Sequence, residues 1–159
     1  MKQPVLITIM SSRLQFLLIP FSWLYGAVVY LYHRMYDLQI KKSVSFEIPV
    51  ISIGNLSVGG TGKTPHVEYL IRLFKDFYDI GILSRGYRRK TKGYLLLDES
   101  SSAQEAGDEP VQFKHKFPEV MVAVCEERAI GIPIMLLDNP KLQVVILDDA
   151  FQHRRVSPG

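Results

Sequence analysis

Residues 57–64 read SVGGTGKT and follow an apolar, β-branched run at 46–53 (FEIPVISI) that stops at Gly54. No other feature restricts the fold as much. A phosphate cradle needs glycines whose backbone N–H groups can converge on an anion. It also needs a helix N-terminus behind them, a lysine that reaches the outer phosphates, and a hydroxyl for magnesium. Gly59, Gly60, Gly62, Lys63 and Thr64 supply these, with Thr61 inside the loop and Ser57 where the consensus has its first glycine. Taken alone, the segment is also compatible with a glycine-rich turn ending in a chance Gly-Lys-Thr. The strand before it and the helix after it argue for the cradle, since Val67, Leu70, Ile71 and Phe74 share one helical face of 64–77.

Further apolar runs lie at 79–83 (DIGIL), 94–97 (YLLL), 120–124 (VMVAV) and 144–147 (VVIL). They read as buried strands, and 127–137 reads as a helix that Gly131 and Pro133 weaken. Strands alternating with helices predict an α/β fold with a parallel sheet flanked by helices. Residues 100–107 (SSSAQEAG) are expected to be a polar loop, and no internal repeat is visible. With 47% apolar and 22% charged residues, the chain is not a disordered segment. A single cysteine, Cys125, excludes an intrachain disulfide framework and points to a reducing compartment. Following an apolar run, it is expected to be a buried structural thiol.

Two regions are expected, an anchoring segment over 1–45 and an α/β domain over 46–159. The net charge of +3 is unevenly spread: the first 45 residues hold five bases and one acid, so the remainder is slightly acidic. That distribution is not the footprint of a nucleic-acid-binding domain. Residues 14–33 carry no formal charge and, as a helix, would be roughly 30 Å long, one hydrocarbon thickness. A spanning helix is the first expectation. An in-plane helix competes with it, because Gln15, Ser22, Gly26 and His33 form a weak polar stripe and Pro20 interrupts the run.

Three further motifs carry candidate chemistry. Residues 143–149 (QVVILDD) read as an apolar strand ending in paired acids, where a carboxylate can hold magnesium beside lysine-bound phosphates; Asp148 is the candidate, with Asp149 beside it. Residues 84–92 (SRGYRRKTK) hold five bases at the carboxyl edge of the sheet, where α/β proteins bind ligands, and Arg85 and Arg88 suit bidentate phosphate contacts. A solvated basic loop is the plainer alternative. In 107–110 (GDEP), Asp108 or Glu109 either caps a helix beginning at Pro110 or accepts the proton of an attacking hydroxyl. His153, just past the acidic pair, is ambiguous between a site group and a surface histidine.

In this order, 54–65 (GNLSVGGTGKTP), 84–93 (SRGYRRKTKG), 106–110 (AGDEP) and 148–154 (DDAFQHR), behind an apolar N-terminal helix, resemble the tetraacyldisaccharide 4′-kinases, the lipid A 4′-kinases. The resemblance covers essentially the whole chain. It implies a P-loop NTPase-like kinase at the cytoplasmic face of the inner membrane. The reaction would be ATP- and Mg2+-dependent transfer of a phosphoryl group to the 4′-hydroxyl of a tetraacyldisaccharide 1-phosphate, with membrane lipids as further partners and no nucleic acid. Carried over by motif, Lys63 would hold the phosphates, Thr64 and Asp148 the magnesium, and Asp108 would be the general base. Asp149 and Glu109 would assist, and Arg85, Gly86, Tyr87 and Arg88 would line the substrate side. The family usually has glycine where this chain has Ala150, and often where it has Arg88. Family members also run on into a second domain, so the chain is expected to be an N-terminal portion whose sheet is incomplete. A non-catalytic, membrane-attached nucleotide-binding module is the alternative reading.

Overall fold

Ile82 and Leu83, neighbours on one strand, are both fully buried yet belong to two different cores, one on each face of a sheet. The same division separates Val122 from Ala123 and Ile146 from Val145. Successive side chains of a strand point to opposite faces, so continuous apolar runs require a sheet covered on both sides. The computed structural model, which describes residues 5–38, 43–54, 63–149 and 156, has this arrangement.

The strands are β1 (Val50–Ser52), β2 (Ile80–Ser84), β3 (Leu95–Leu96), β4 (Met121–Val124) and β5 (Val144–Leu147). Their order is β1-β5-β2-β4-β3. The first four in this order pair in parallel, with Ser52 opposite Leu147 and Leu83 opposite Leu147 on its other side. β3 runs antiparallel to β4, so the sheet is mixed rather than wholly parallel as expected. Helix α2 (Lys63–Phe74) places Val67 and Ile71 on one face of the sheet, and Phe113 of α4 (Asp108–Lys116) joins them. Helix α5 (Arg128–Asp138) covers the other face through Ile132 and Met135. Gly131 does not break α5. A Cβ there would come within 2.9 Å of a Leu83 methyl, so the glycine lets the helix pack closely on the sheet.

Several expected boundaries change. The run at 46–53 forms only the three-residue β1, because Pro49 has no N–H to offer a ladder. Residues 100–107 are not wholly loop, since they contain α3 (Ala103–Ala106). Glu105 closes back on Ser102, accepting from its backbone N–H at 3.0 Å and its hydroxyl at 2.7 Å, which stabilises the start of a helix. Helix α4 starts at Asp108, two residues before the expected Pro110.

The chain divides into two compact units, Met1–Lys42 and Ser43–Gly159. The first is built on α1 (Val5–Asp37), a 33-residue helix that continues through Pro20. The spanning helix expected over 14–33 needs correction: among the described residues, no helix is both long and apolar enough to cross a membrane. Length is sufficient. Apolarity is not, because Gln15, Ser22, Gly26, His33 and a series of tyrosines dilute it. Phe21, Trp23, Leu24, Tyr25, Val28, Tyr30 and Leu31 are nonetheless exposed on this helix.

Candidate active site

Parallel strands end together, so the residues that follow β5 and close β2 meet at one edge of the sheet, beside the N-terminus of α2. Asp148 continues the ladder, its N–H donating to the Leu83 carbonyl at 3.1 Å. Its carboxylate is buried, 1% exposed, and accepts the Ser84 hydroxyl at 3.2 Å. Burial, helped by the negative charge of Glu109, pushes its pKa up to about 6. Asp149 turns the other way. With φ at 52°, it holds a left-handed conformation that costs a non-glycine residue about 1–3 kcal/mol. Its carboxylate pairs with the Lys63 ammonium. That hydrogen bond is the main cause raising the lysine pKa, and the charges of Asp148 and Glu109 add to it against partial burial.

Helix α4 contributes the remaining acids. Asp108 and Glu109 occupy its first turn, and Thr64 donates its hydroxyl to Glu109 Oε1 at 3.2 Å. The helix is seated by Gly107, whose φ of 93° and close approach to the Tyr87 carbonyl leave no room for a side chain: a Cβ would lie 3.0 Å from that oxygen. The basic loop is thereby held against the start of α4. Lys63, Tyr87, Arg88, Asp108, Glu109, Pro110 and Asp149 line one cleft of about 450 Å³.

Most of the expected site residues therefore converge. Lys63, Asp108, Glu109, Asp149, Tyr87 and Arg88 line the cleft, while Thr64 and Asp148 reach it through Glu109 and β5. Arg85 and Gly86 line an adjoining recess of the basic loop instead, together with Glu126. Ser57, Gly59, Gly60, Thr61, Gly62, Ala150 and His153 lie outside the described residues. Cys125 is buried, its thiol donating to the Glu127 carbonyl at 3.3 Å, which suits a structural role.

Three contributions escape the motif reading. Ser84 enters through register, which sets the end of β2 beside Asp148. Arg89 looks like one more base of the loop, but its side chain is buried and ion-paired to Glu126 at 2.7 Å, so it anchors the loop rather than facing a ligand. Arg88, by contrast, sits over the Tyr87 ring at 5.2 Å in a left-handed conformation. Arg128 is buried beneath the acidic turn, and its position at the start of a helix, where a cation is disfavoured, is the signal that could have found it.

The family described as tetraacyldisaccharide-1-P 4'-kinase matches residues 14–158. A tetraacyldisaccharide 4'-kinase of Bacteroides thetaiotaomicron is 54% identical over 89% of this chain and 38% of its own length. One from Flavobacterium johnsoniae is 53% identical over 93% of this chain and 44% of its own. The chain thus spans about two-fifths of the length of these relatives. Among solved structures, LpxK from Aquifex aeolicus in complex with ATP is similar at a TM-score of 0.81 and 44% identity, covering 91% of this chain and 47% of that one. The chain belongs to the tetraacyldisaccharide-1-P 4'-kinase family.

Proposed function

We propose that the chain provides the nucleotide and general-base side of a kinase that moves the γ-phosphoryl group of ATP to the 4′-hydroxyl of a tetraacyldisaccharide 1-phosphate. The observation carrying this reading is the convergence of Lys63, Asp149, Glu109 and Asp108 on one cleft at the start of α2, in a chain of this family. Lys63 would act as the lysine that neutralises the outer phosphates, and in their presence it would exchange its Asp149 partner for them. Asp108 would take the proton of the 4′-hydroxyl as the new P–O bond forms and ADP leaves, with Glu109 and Asp149 assisting. Arg88 and Tyr87 in the cleft, and Arg85 and Gly86 beside it, would meet the acceptor.

The residues also fit magnesium. Among the described residues no three His, Cys, Asp or Glu side chains form a metal cage. Magnesium, however, commonly binds through one or two carboxylates, with phosphates and waters completing its shell. Asp148 has a carboxylate whose charge is disfavoured first by burial and then by the negative charge of Glu109, which an adjacent cation would offset. Thr64 and Asp148 would hold the ion, whose chemistry is to neutralise the charge that develops on the transferred group.

The exposed Phe21, Trp23, Leu24 and Tyr25 of α1 support contact of this helix with a membrane. An ATP-consuming site and a lipid acceptor suit the cytoplasmic face of the inner membrane. The test is a chimera in which residues 14–158 replace the matching segment of the Flavobacterium johnsoniae relative. Supplied with ATP, Mg2+ and disaccharide 1-phosphate, it should form the bisphosphate; a folded chimera that forms none would remove the proposal.

A further inference from the structure

Arg128 occupies the first turn of α5 with its side chain 2% exposed, a costly place for a cation. Among the described residues, its guanidinium donates to three backbone oxygens. Nη1 donates to the Glu126 carbonyl at 3.3 Å, and Nη2 donates to the carbonyls of both Asp148 and Asp149, at 3.2 and 3.3 Å. In an extended strand, consecutive carbonyls point to opposite sides, so one nitrogen cannot serve both. Here it can, because Asp149 has left the strand for a left-handed conformation at φ 52°. The two side chains meanwhile take different partners: Asp148 stays inside against Ser84, and Asp149 reaches out to Lys63.

We infer that Arg128 is a positioning residue, whose guanidinium grips the two carbonyls and so holds the Asp148 and Asp149 carboxylates in the arrangement that receives a magnesium–nucleotide. This rests on the nucleotide reading of the cleft. Arg128 acts through the turn rather than by touching the ligand. Groups that orient metal ligands from behind typically govern metal affinity by about ten- to a hundredfold. A planar guanidinium offers donors in a fixed fork, which an ammonium on a flexible stem does not reproduce.

The test compares ATP binding by the unsubstituted chain, Arg128→Met and Arg128→Lys, by calorimetric titration in Mg2+ and again in EDTA, with melting curves as a check on folding. Arg128→Met should weaken binding in Mg2+ by about tenfold and leave binding in EDTA unchanged, with Arg128→Lys in between. Folded variants that bind as the unsubstituted chain does in both buffers, or lose affinity equally in both, would overturn the inference while leaving the nucleotide site intact. If Arg128→Met does not fold, Arg128→Lys decides by the same criterion. An unsubstituted chain that binds ATP in neither buffer would overturn the nucleotide reading itself.

Discussion

Lys63, the first residue of α2, pairs with Asp149 at the carboxyl end of the sheet, while Lys75, just past the end of the same helix, pairs with Glu119 at the amino end. Both pairs raise their lysine pKa through a hydrogen bond to the partner. At the amino end the charges match, and the Lys75 hydrogen bond holds Glu119 below the usual glutamate range. At the carboxyl end, Lys63 also feels Asp148 and Glu109, and the surplus of negative charge helps keep Asp148 above the usual aspartate range. One pair is a surface contact of the kind that contributes little to stability. The other belongs to an acidic cluster whose repulsion a cation would relieve, and that imbalance, more than the presence of a salt bridge, distinguishes the proposed phosphate-binding edge.

The largest expected difference between the two ends is kinetic. Asp108→Ala, placed in the chimera with the Flavobacterium johnsoniae relative, should lower kcat by about 10²–10⁴-fold with the KM for ATP little changed. A rate equal to that of the unsubstituted chimera would remove Asp108 as the base. Next comes the electrostatic cost at Asp148. Folded, this carboxyl takes up its proton near pH 6; unfolded, it does so near 3.8. Between those values the folded state binds more protons, so stability falls as pH rises through that window. Asp148→Asn in EDTA should therefore stabilise the protein above pH 6, by up to about 3 kcal/mol, and lose that advantage below pH 4. Parallel stability profiles for the two proteins across this range would show that burial imposes no such penalty. Gly107→Ala should cost about 1–3 kcal/mol in chemical denaturation, because alanine resists its positive φ and meets the Tyr87 carbonyl. An unchanged midpoint would mean that the seat of α4 is softer than its geometry implies. Smallest of all, Lys75→Met at the amino end should leave melting and nucleotide binding unaltered.

The two ends were also unequally legible in the sequence. β2, β4 and β5 could be read to within a residue because strands buried on both faces are continuous apolar runs. β3 was also placed to within a residue of each end, but so short a run carries no sign of direction, and its antiparallel sense is fixed by pairing with β4. Helix α3 lay hidden in a polar stretch whose composition outweighed the Ser102–Glu105 capping signal. At the site, Lys63, Asp108, Glu109 and Asp149 were visible as motifs, since each stands beside a strand end or a glycine. The roles of Ser84 and Arg128 were not, because one depends on register across the sheet and the other on the packing of α5 beneath a turn. In the basic loop, Arg89 and Arg88 are neighbours of the same charge, yet one is a buried anchor and the other lines the cleft, a difference set by packing that sequence does not display.

The sharpest test of the difference between the ends of α2 is the affinity of the chain for Mg·ATP, measured for Lys63→Met and Lys75→Met side by side. Binding should be abolished by the first and untouched by the second. Equal affinities in the two variants would contradict the assignment of the carboxyl end as the phosphate-binding edge.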